Sequence, residues 1–304
     1  MNFDLSDDQV ALRDAIRRRC DARFDSARVR GGFDAEMFAE LADAGVFSLR
    51  ADGFGWADAS LVFQELGRAL VPGPLVWSHL AHGVVDGIVG GLERPAPGEE
   101  IFIEHLGQVD SLVVLGDDGA VAIGAEAVAD AAPLDWPLDP LTPVHRVDAL
   151  PPGTPVADAA TAHEWRRAGA ALVAAYQAGM AQACAERATE YALARQQFNR
   201  PIGSFQAVKH LLADLAVRAE VARAAVDAAA CHLDDPEVGD VNRAVDAAKC
   251  LAGDAALRNA KGSLQVHGGI GFTWEVDVHL FLKRAWLLNT TFGSPDEHAE
   301  ALAS

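Results

Sequence analysis

The sequence predicts a mainly α-helical protein with a small β-rich unit in its middle and a four-helix bundle at its C-terminal end. Three observations predict it. Capped stretches with apolar residues at helical spacing fill residues 1–95. Most of the fourteen prolines fall between positions 95 and 155, where short apolar runs alternate with turns. Beyond position 160, long alanine-rich segments again carry helical periodicity. The boundaries that follow are 1–95 for a helical N-terminal domain, 96–160 for a β-rich middle domain and 161–304 for the bundle.

Leu5-Ser6-Asp7-Asp8-Gln9-Val10 reads as a helix start. Ser6 is the N-cap, Gln9 completes a capping box, Leu5 and Val10 can staple, and the two aspartates favour the positive end of the helix dipole. Further helices are expected over 35–44, 58–70 and 76–89, separated by the Gly53-Phe54-Gly55 loop and the Pro72-Gly73-Pro74 break. Leu112–Leu115 and Ala120–Ile123 flank an Asp117-Asp118-Gly119 turn, which predicts a β-hairpin. Val208, Leu211, Leu212 and Leu215 form an i, i+3, i+4, i+7 stripe, and helical patterns continue to about Leu264. Short connections between them imply an antiparallel bundle.

Half of the 304 residues are apolar and 23% charged, ordinary for a soluble globular protein. The net charge of −19 argues against nucleic acid or anionic membranes as partners, since both are polyanions. Cys20, Cys184, Cys231 and Cys250 are scattered, so neither a disulfide framework nor a metal site is expected. No signal-peptide pattern opens the chain, and a cytoplasmic location is expected. Ala168–Ala185 carries no charge, but it is rich in Ala and Gly and interrupted by Gln177 and Gln182, which predicts a buried helix and no membrane span.

Two segments carry chemistry. In Ala194-Arg195-Gln196-Gln197-Phe198-Asn199-Arg200-Pro201-Ile202-Gly203-Ser204-Phe205-Gln206, the spacing puts Arg195 and Phe198 one turn apart on a helix face. A Pro-Ile-Gly break follows, then a new helix that Ser204 can cap. A guanidinium, an aromatic ring and a helix N-terminus converging in this way suit an anionic, ring-bearing ligand such as a dinucleotide. In Gln265-Val266-His267-Gly268-Gly269-Ile270-Gly271-Phe272-Thr273, a glycine pair follows a helix predicted to end near Gln265, so backbone can approach a pyrophosphate closely. Taken singly, each has an ordinary structural reading, as a solvated charge beside a core aromatic and as a helix C-cap. No β-rich run precedes the glycines, so they are not a Rossmann fingerprint. Arg195, Arg200, Lys209, Lys283 and Arg284 are the candidate local cations for guiding an anionic ligand to an acidic protein.

Together the two segments resemble the cofactor signature of acyl-CoA dehydrogenases. Phe38-Ala39-Glu40-Leu41-Ala42-Asp43-Ala44-Gly45-Val46 and Phe63-Gln64-Glu65-Leu66-Gly67-Arg68-Ala69-Leu70-Val71-Pro72-Gly73-Pro74 extend the likeness over nearly the whole chain. The resemblance implies FAD as cofactor and an acyl-CoA as substrate, desaturated when a glutamate removes the α-proton and the flavin takes the β-hydride. It also implies that Arg195, Phe198, Phe205 and Gln206, with Gln265, Gly268 and Gly269, hold the pyrophosphate and adenosine part of an FAD whose ring belongs to a neighbouring subunit.

Three departures from the family pattern set further expectations. The middle domain is shortened and lacks the family's Thr-Glu-Pro-type and Trp-Ile-Thr/Ser-type segments that cradle the flavin ring. In Asn289-Thr290-Thr291-Phe292-Gly293-Ser294, Phe292 stands where the family usually places the catalytic glutamate. The alternative position, early in the first bundle helix, falls on Gly169 and Ala170, with Glu164, Arg166 and Arg167 nearby. No catalytic base is therefore expected in this chain. It resembles the smaller, degenerate subunit of the heteromeric acyl-CoA dehydrogenases of actinobacterial steroid catabolism, which implies a heterotetramer with a full-length partner and an electron-transfer flavoprotein as one option for electron acceptor. Two other readings stand beside it: a self-sufficient homodimer using Glu164, Asp296 or Glu297 as base, and a flavin-free interaction protein on the same scaffold.

Overall fold

The computed structural model describes residues 4–128 and 130–304. The chain opens with helices α1 (Asp7–Arg23), α2 (Ser26–Arg30), α3 (Ala35–Asp43), α4 (Trp56–Arg68) and α5 (Leu75–Leu80). Strands β1 (Val89–Glu93), β2 (Ile101–Glu104), β3 (Ser111–Leu115), β4 (Gly119–Gly124), β5 (Ala132–Pro133), β6 (Val144–Val147) and β7 (Thr154–Asp158) follow. The C-terminal part runs α6 (Ala159–Ala194), the short strands β8 (Gln196–Gln197) and β9 (Arg200–Pro201), then α7 (Gln206–Asp234), α8 (Val241–His267), α9 (Val278–Leu288) and α10 (Pro295–Ala303). Two compact units result. One joins the chain up to Arg28 with Trp56–Val71 and Ala170–Ser304; the other joins Val29–Gly55 with Pro72–Gly169.

The first helix starts as its residues require. Ser6 accepts the Gln9 N–H at 3.2 Å and the Gln9 side chain accepts the Ser6 N–H at 3.1 Å, the reciprocal capping box. The helix expected over 76–89 is shorter, because α5 ends at Leu80. Gly83 and Gly87 take φ of +78° and +83°, which a helix cannot accommodate. A Cβ at Gly87 would stand 2.4 Å from the Asp110 carboxylate, which accepts the Ile88 N–H at 2.7 Å.

In the β-bearing unit, one sheet has the order β1-β3-β4-β7, with β1 and β3 parallel and the expected β3–β4 hairpin in register from Leu112↔Ile123 to Leu115↔Ala120. A second, antiparallel sheet has the order β2-β6-β5. Ile103 and Val147 of the second sheet and Leu112 of the first share an apolar core with Leu106, Val109 and Val128.

In the other unit, the buried helix expected over Ala168–Ala185 is the middle of α6. Its glycines set the packing. A Cβ on Gly179 would sit 1.8 Å from the Gln64 carbonyl oxygen of α4, and one on Gly67 of α4 would sit 1.9 Å from the Tyr176 oxygen. Bare backbone therefore meets bare backbone at this crossing. Arg17 of α1 grips the buried Glu65 of α4 with two bonds of 2.9 and 2.7 Å, and Arg68 adds a third at 3.0 Å. All four cysteines are free, and burial pushes the thiols of Cys20 and Cys184 up to about 12. Among the described residues no helix is long and apolar enough to cross a membrane, and no cluster of side chains is suited to a metal ion.

Candidate functional site

Arg195 and Phe198 do not share a helix face. Helix α6 ends at Ala194, and Gln196–Gln197 pair with Arg200–Pro201 as a β-hairpin whose two turn residues, Phe198 and Asn199, take φ of +52° and +61°. Two positive φ angles across a two-residue loop are the demand of a tight hairpin turn. Pro201 supplies the reason, since it lacks an N–H and disfavours helical geometry at Arg200. The Arg195 N–H bonds back to the Tyr191 oxygen at 2.8 Å and its carbonyl accepts the Ile202 N–H at 2.8 Å, so Arg195 is the point where helix becomes hairpin.

Ser204 is not the cap either. The Phe205 N–H bonds the Ile202 carbonyl at 3.1 Å in a 3₁₀ turn, which delays α7 to Gln206 and leaves Phe205 at the N-cap without a side-chain bond. What the hairpin presents is an exposed cationic and aromatic tip. Phe198 is 87% exposed and meets Phe205 edge-on with ring centroids 6.0 Å apart, and the Arg200 guanidinium lies 4.0 Å over the Phe205 ring. Arg195, Gln206 and Lys209 are exposed beside it.

The glycine segment lies past the end of α8, which runs two residues beyond the expected Gln265. Gly268 takes φ +65° and its N–H bonds the Leu264 carbonyl, a helix C-cap. A Cβ built on Gly268 or Gly269 meets nothing within 4 Å, so this backbone is open to a ligand. Gln265 is exposed one turn before it.

The two segments are joined underneath by one apolar cluster. Ala188 and Ala192 of α6, Leu215 of α7 and Val266 of α8 are its buried members, with Tyr191, Ile202, Val208 and Leu212 packed against it. Tyr191 also stacks on His267 at 4.3 Å between ring centroids. His267 donates from Nδ1 to the Ser263 carbonyl at 2.8 Å, and burial draws its pKa down, which favours the neutral ring. The arrangement offers guanidinium, aromatic and exposed backbone groups to an elongated anion.

Of the other candidate cations, Lys283 lies 5.3 Å over the Trp274 ring. Arg284 is no ligand guide: it is buried and donates to the Tyr176 hydroxyl at 3.1 Å, which in turn donates to the Val71 carbonyl at 2.8 Å. Packing explains the difference, because Arg284 lies on the inward face of α9 with Leu280 and Phe281.

Of the two positions where the resemblance led a base to be sought, Phe292 is 2% exposed and holds φ +54° in the turn between α9 and α10. Gly169 is buried within α6. Glu297 closes the capping box of α10, accepting from the Ser294 N–H at 2.7 Å and hydroxyl at 2.8 Å, and these bonds hold its carboxyl below the usual range. A carboxylate committed in this way is a poor proton acceptor. Asp296 and Glu164 are exposed, the first in the opening turn of α10 and the second near the start of α6. Arg166, the arginine near Glu164, is bound to Glu93 at 2.7 Å.

The family model for the acyl-CoA dehydrogenase C-terminal domain matches residues 160–304. The acyl-CoA dehydrogenase IpdE2 of Mycobacterium tuberculosis is 37% identical over 82% of this chain and 77% of its own length. The chain belongs to the acyl-CoA dehydrogenase family, whose cofactor is FAD. Among solved structures, a chain of the ChsE4-ChsE5 complex from Mycobacterium tuberculosis superposes with TM-score 0.83 at 23% identity, covering 100% of this chain and 98% of that one. A chain of the Tcur3481-Tcur3483 steroid ACAD gives 0.82 at 20% identity, covering 97% and 96%. At these identities the structures share the fold.

Proposed function

We propose that this chain is the base-less subunit of a heteromeric acyl-CoA dehydrogenase, contributing the half-site for the FAD tail while a full-length partner supplies the catalytic glutamate and the flavin-ring pocket. The observation that carries the reading is a contrast within one unit: a solvent-open cationic hairpin beside open glycines, with a buried phenyl ring where the family places its base. When bound, FAD supplies hydride acceptance from the β-carbon of the acyl-CoA. Arg195 gives a charge-assisted contact to the pyrophosphate, Phe198 and Phe205 give apolar surface to the adenosine end, and Gln206 and Gln265 give amide hydrogen bonds. Gly268 and Gly269 keep the backbone approachable.

A partner is supported by the outward face of α7, where Ala213, Val217, Val221 and Ala224 recur at helical spacing and all are exposed. The assembly named ChsE4-ChsE5 is a complex of two proteins, and the Tcur3481-Tcur3483 assembly is named a steroid ACAD. That likeness supports a bulky, steroid-derived CoA thioester as substrate and a heteromeric assembly, for which a heterotetramer is our proposal.

The test is co-expression with a full-length partner and a count of flavins per chain. The complex is expected to be yellow and the chain alone colourless. A yellow homodimer would support a self-sufficient enzyme, and a colourless complex an interaction protein. Arg195→Ala is expected to weaken FAD binding by roughly ten- to hundred-fold, the loss of a charge-assisted bond of about 1.5 to 3 kcal/mol. Unchanged flavin occupancy under dilution would remove Arg195 from the half-site.

A further inference from the structure

We propose that His298 is a proton-operated latch on the turn that carries Phe292. Its Nδ1 lies 2.7 Å from an Asp246 oxygen and its Nε2 lies 2.9 Å from the Phe292 carbonyl oxygen. A carbonyl only accepts, and an ionised carboxylate only accepts, so both ring nitrogens face acceptors. Only the imidazolium, with a proton on each nitrogen, makes two good bonds here. Neutral imidazole has one proton to give, and its bare lone pair would face an oxygen.

The charge-assisted bond to Asp246 holds the proton on Nδ1, so deprotonation strips Nε2 and releases the Phe292 carbonyl. Three further bonds tie this turn without the ring. Gln177 donates to Asn289 at 2.7 Å, Lys249 donates to the Leu288 carbonyl at 2.7 Å, and the Thr290 hydroxyl donates to the Leu287 carbonyl at 2.7 Å. The turn is also one that relaxes when let go. Phe292 holds φ +54°, unfavourable for an aromatic residue, and Gly293 holds φ +88° with the His298 ring so close that a Cβ there would stand 2.7 Å from Nε2.

Charged and titratable groups on the two helices that flank the ring include Arg243, Asp246, Lys249 and Cys250 on α8, and Asp296, Glu297 and Glu300 on α10. Glu297 is held low first by its bonds from Ser294 and last by the charge of His298 itself. The latch is therefore closed in acid and opens as the ring loses its proton. It concerns the chain's own turn and holds whether or not a partner shares a cofactor with this subunit.

Hydrogen exchange read by mass spectrometry on the whole chain, in the assembly it forms, tests it. Exchange of the peptide spanning 289–294 is followed between about pH 5 and pH 8, the range of histidine titration, and corrected for intrinsic pH dependence. The corrected rate is expected to rise about ten- to hundred-fold across that range, the loss of one charge-assisted bond. His298→Gln, which does not titrate, should flatten the profile. Asp246→Asn, which removes the neighbouring carboxylate, should move the rise to lower pH. A flat corrected profile in the wild-type chain overturns the latch even if a variant fails to fold, and so does the same rise persisting in His298→Gln.

Discussion

At Phe292 a buried phenyl ring and a left-handed backbone meet in one residue. The side chain is buried within its own chain, so a glutamate placed there would carry a charge out of water before it could act on any substrate. Phe292→Ala is expected to cost about 3 to 5 kcal/mol and Phe292→Glu at least as much, read from urea midpoints. A Phe292→Glu chain as stable as the wild type would mean that the ring is not a packing element. His79 gives the pH counterpart. Burial drives its pKa down to about 4, while Nδ1 donates to the Val46 carbonyl at 3.0 Å. The unfolded chain takes up a proton at this residue near pH 6.5 and the folded chain does not until about 4, so the unfolded state is favoured as pH falls through that window. This one group should account for stability on the order of 3 kcal/mol, lost between those two pH values. Denaturant titrations of wild type and His79→Gln at the two ends should differ by that slope; equal slopes would show that His79 is not buried neutral.

Element packing makes glycines unequal. In a helix, Gly→Ala ordinarily stabilises by about 1 kcal/mol. At Gly67 and Gly179 a Cβ would lie within 1.9 Å of a backbone oxygen across the α4–α6 crossing, so the helices must separate. The clash outweighs propensity, and each alanine should lower stability by roughly 1 to 3 kcal/mol or more, a fall of several degrees in Tm. Gly269→Ala meets nothing within 4 Å and should leave Tm unchanged while reducing flavin occupancy in the complex. If Gly269→Ala bound flavin normally, the glycine shelf would be only a helix cap. The hairpin shows how an element decides what a motif does. Arg195 and Phe198 were picked out by their residue types, but a helix was the wrong element for them. The two positive φ angles at Phe198 and Asn199 were the hidden signal, because neither residue is the glycine that usually marks such a turn.

For the whole molecule, apolar surface matters most. Val217 and Val221 of α7, with Phe272 and Trp274 beyond α8, are between 47% and 71% exposed. Obligate interfaces typically bury more than about 2,000 Å², and surface of this kind left uncovered promotes self-association. The isolated chain is expected to elute from gel filtration as oligomers or aggregates and to become monodisperse only with its partner. A stable monomer would count against the heteromer. The net charge of −19 disfavours polyanions generally, and the hairpin cations are a local exception to it.

The sequence by itself determined the α, β, α order, the capping box at Ser6, the β3–β4 hairpin, the uncharged buried stretch of α6 and the absence of a titratable group at 169 and 292. These depend on local periodicity and on residue type, which neighbours in sequence set. Tertiary structure decided the rest. The convergence of Tyr191, Leu215 and Val266 into one cluster, the burial of Arg284 against Tyr176 and the tie from Asp246 through His298 to the Phe292 turn join residues far apart in the chain. Such contacts follow from which helix faces meet, and no local pattern encodes that.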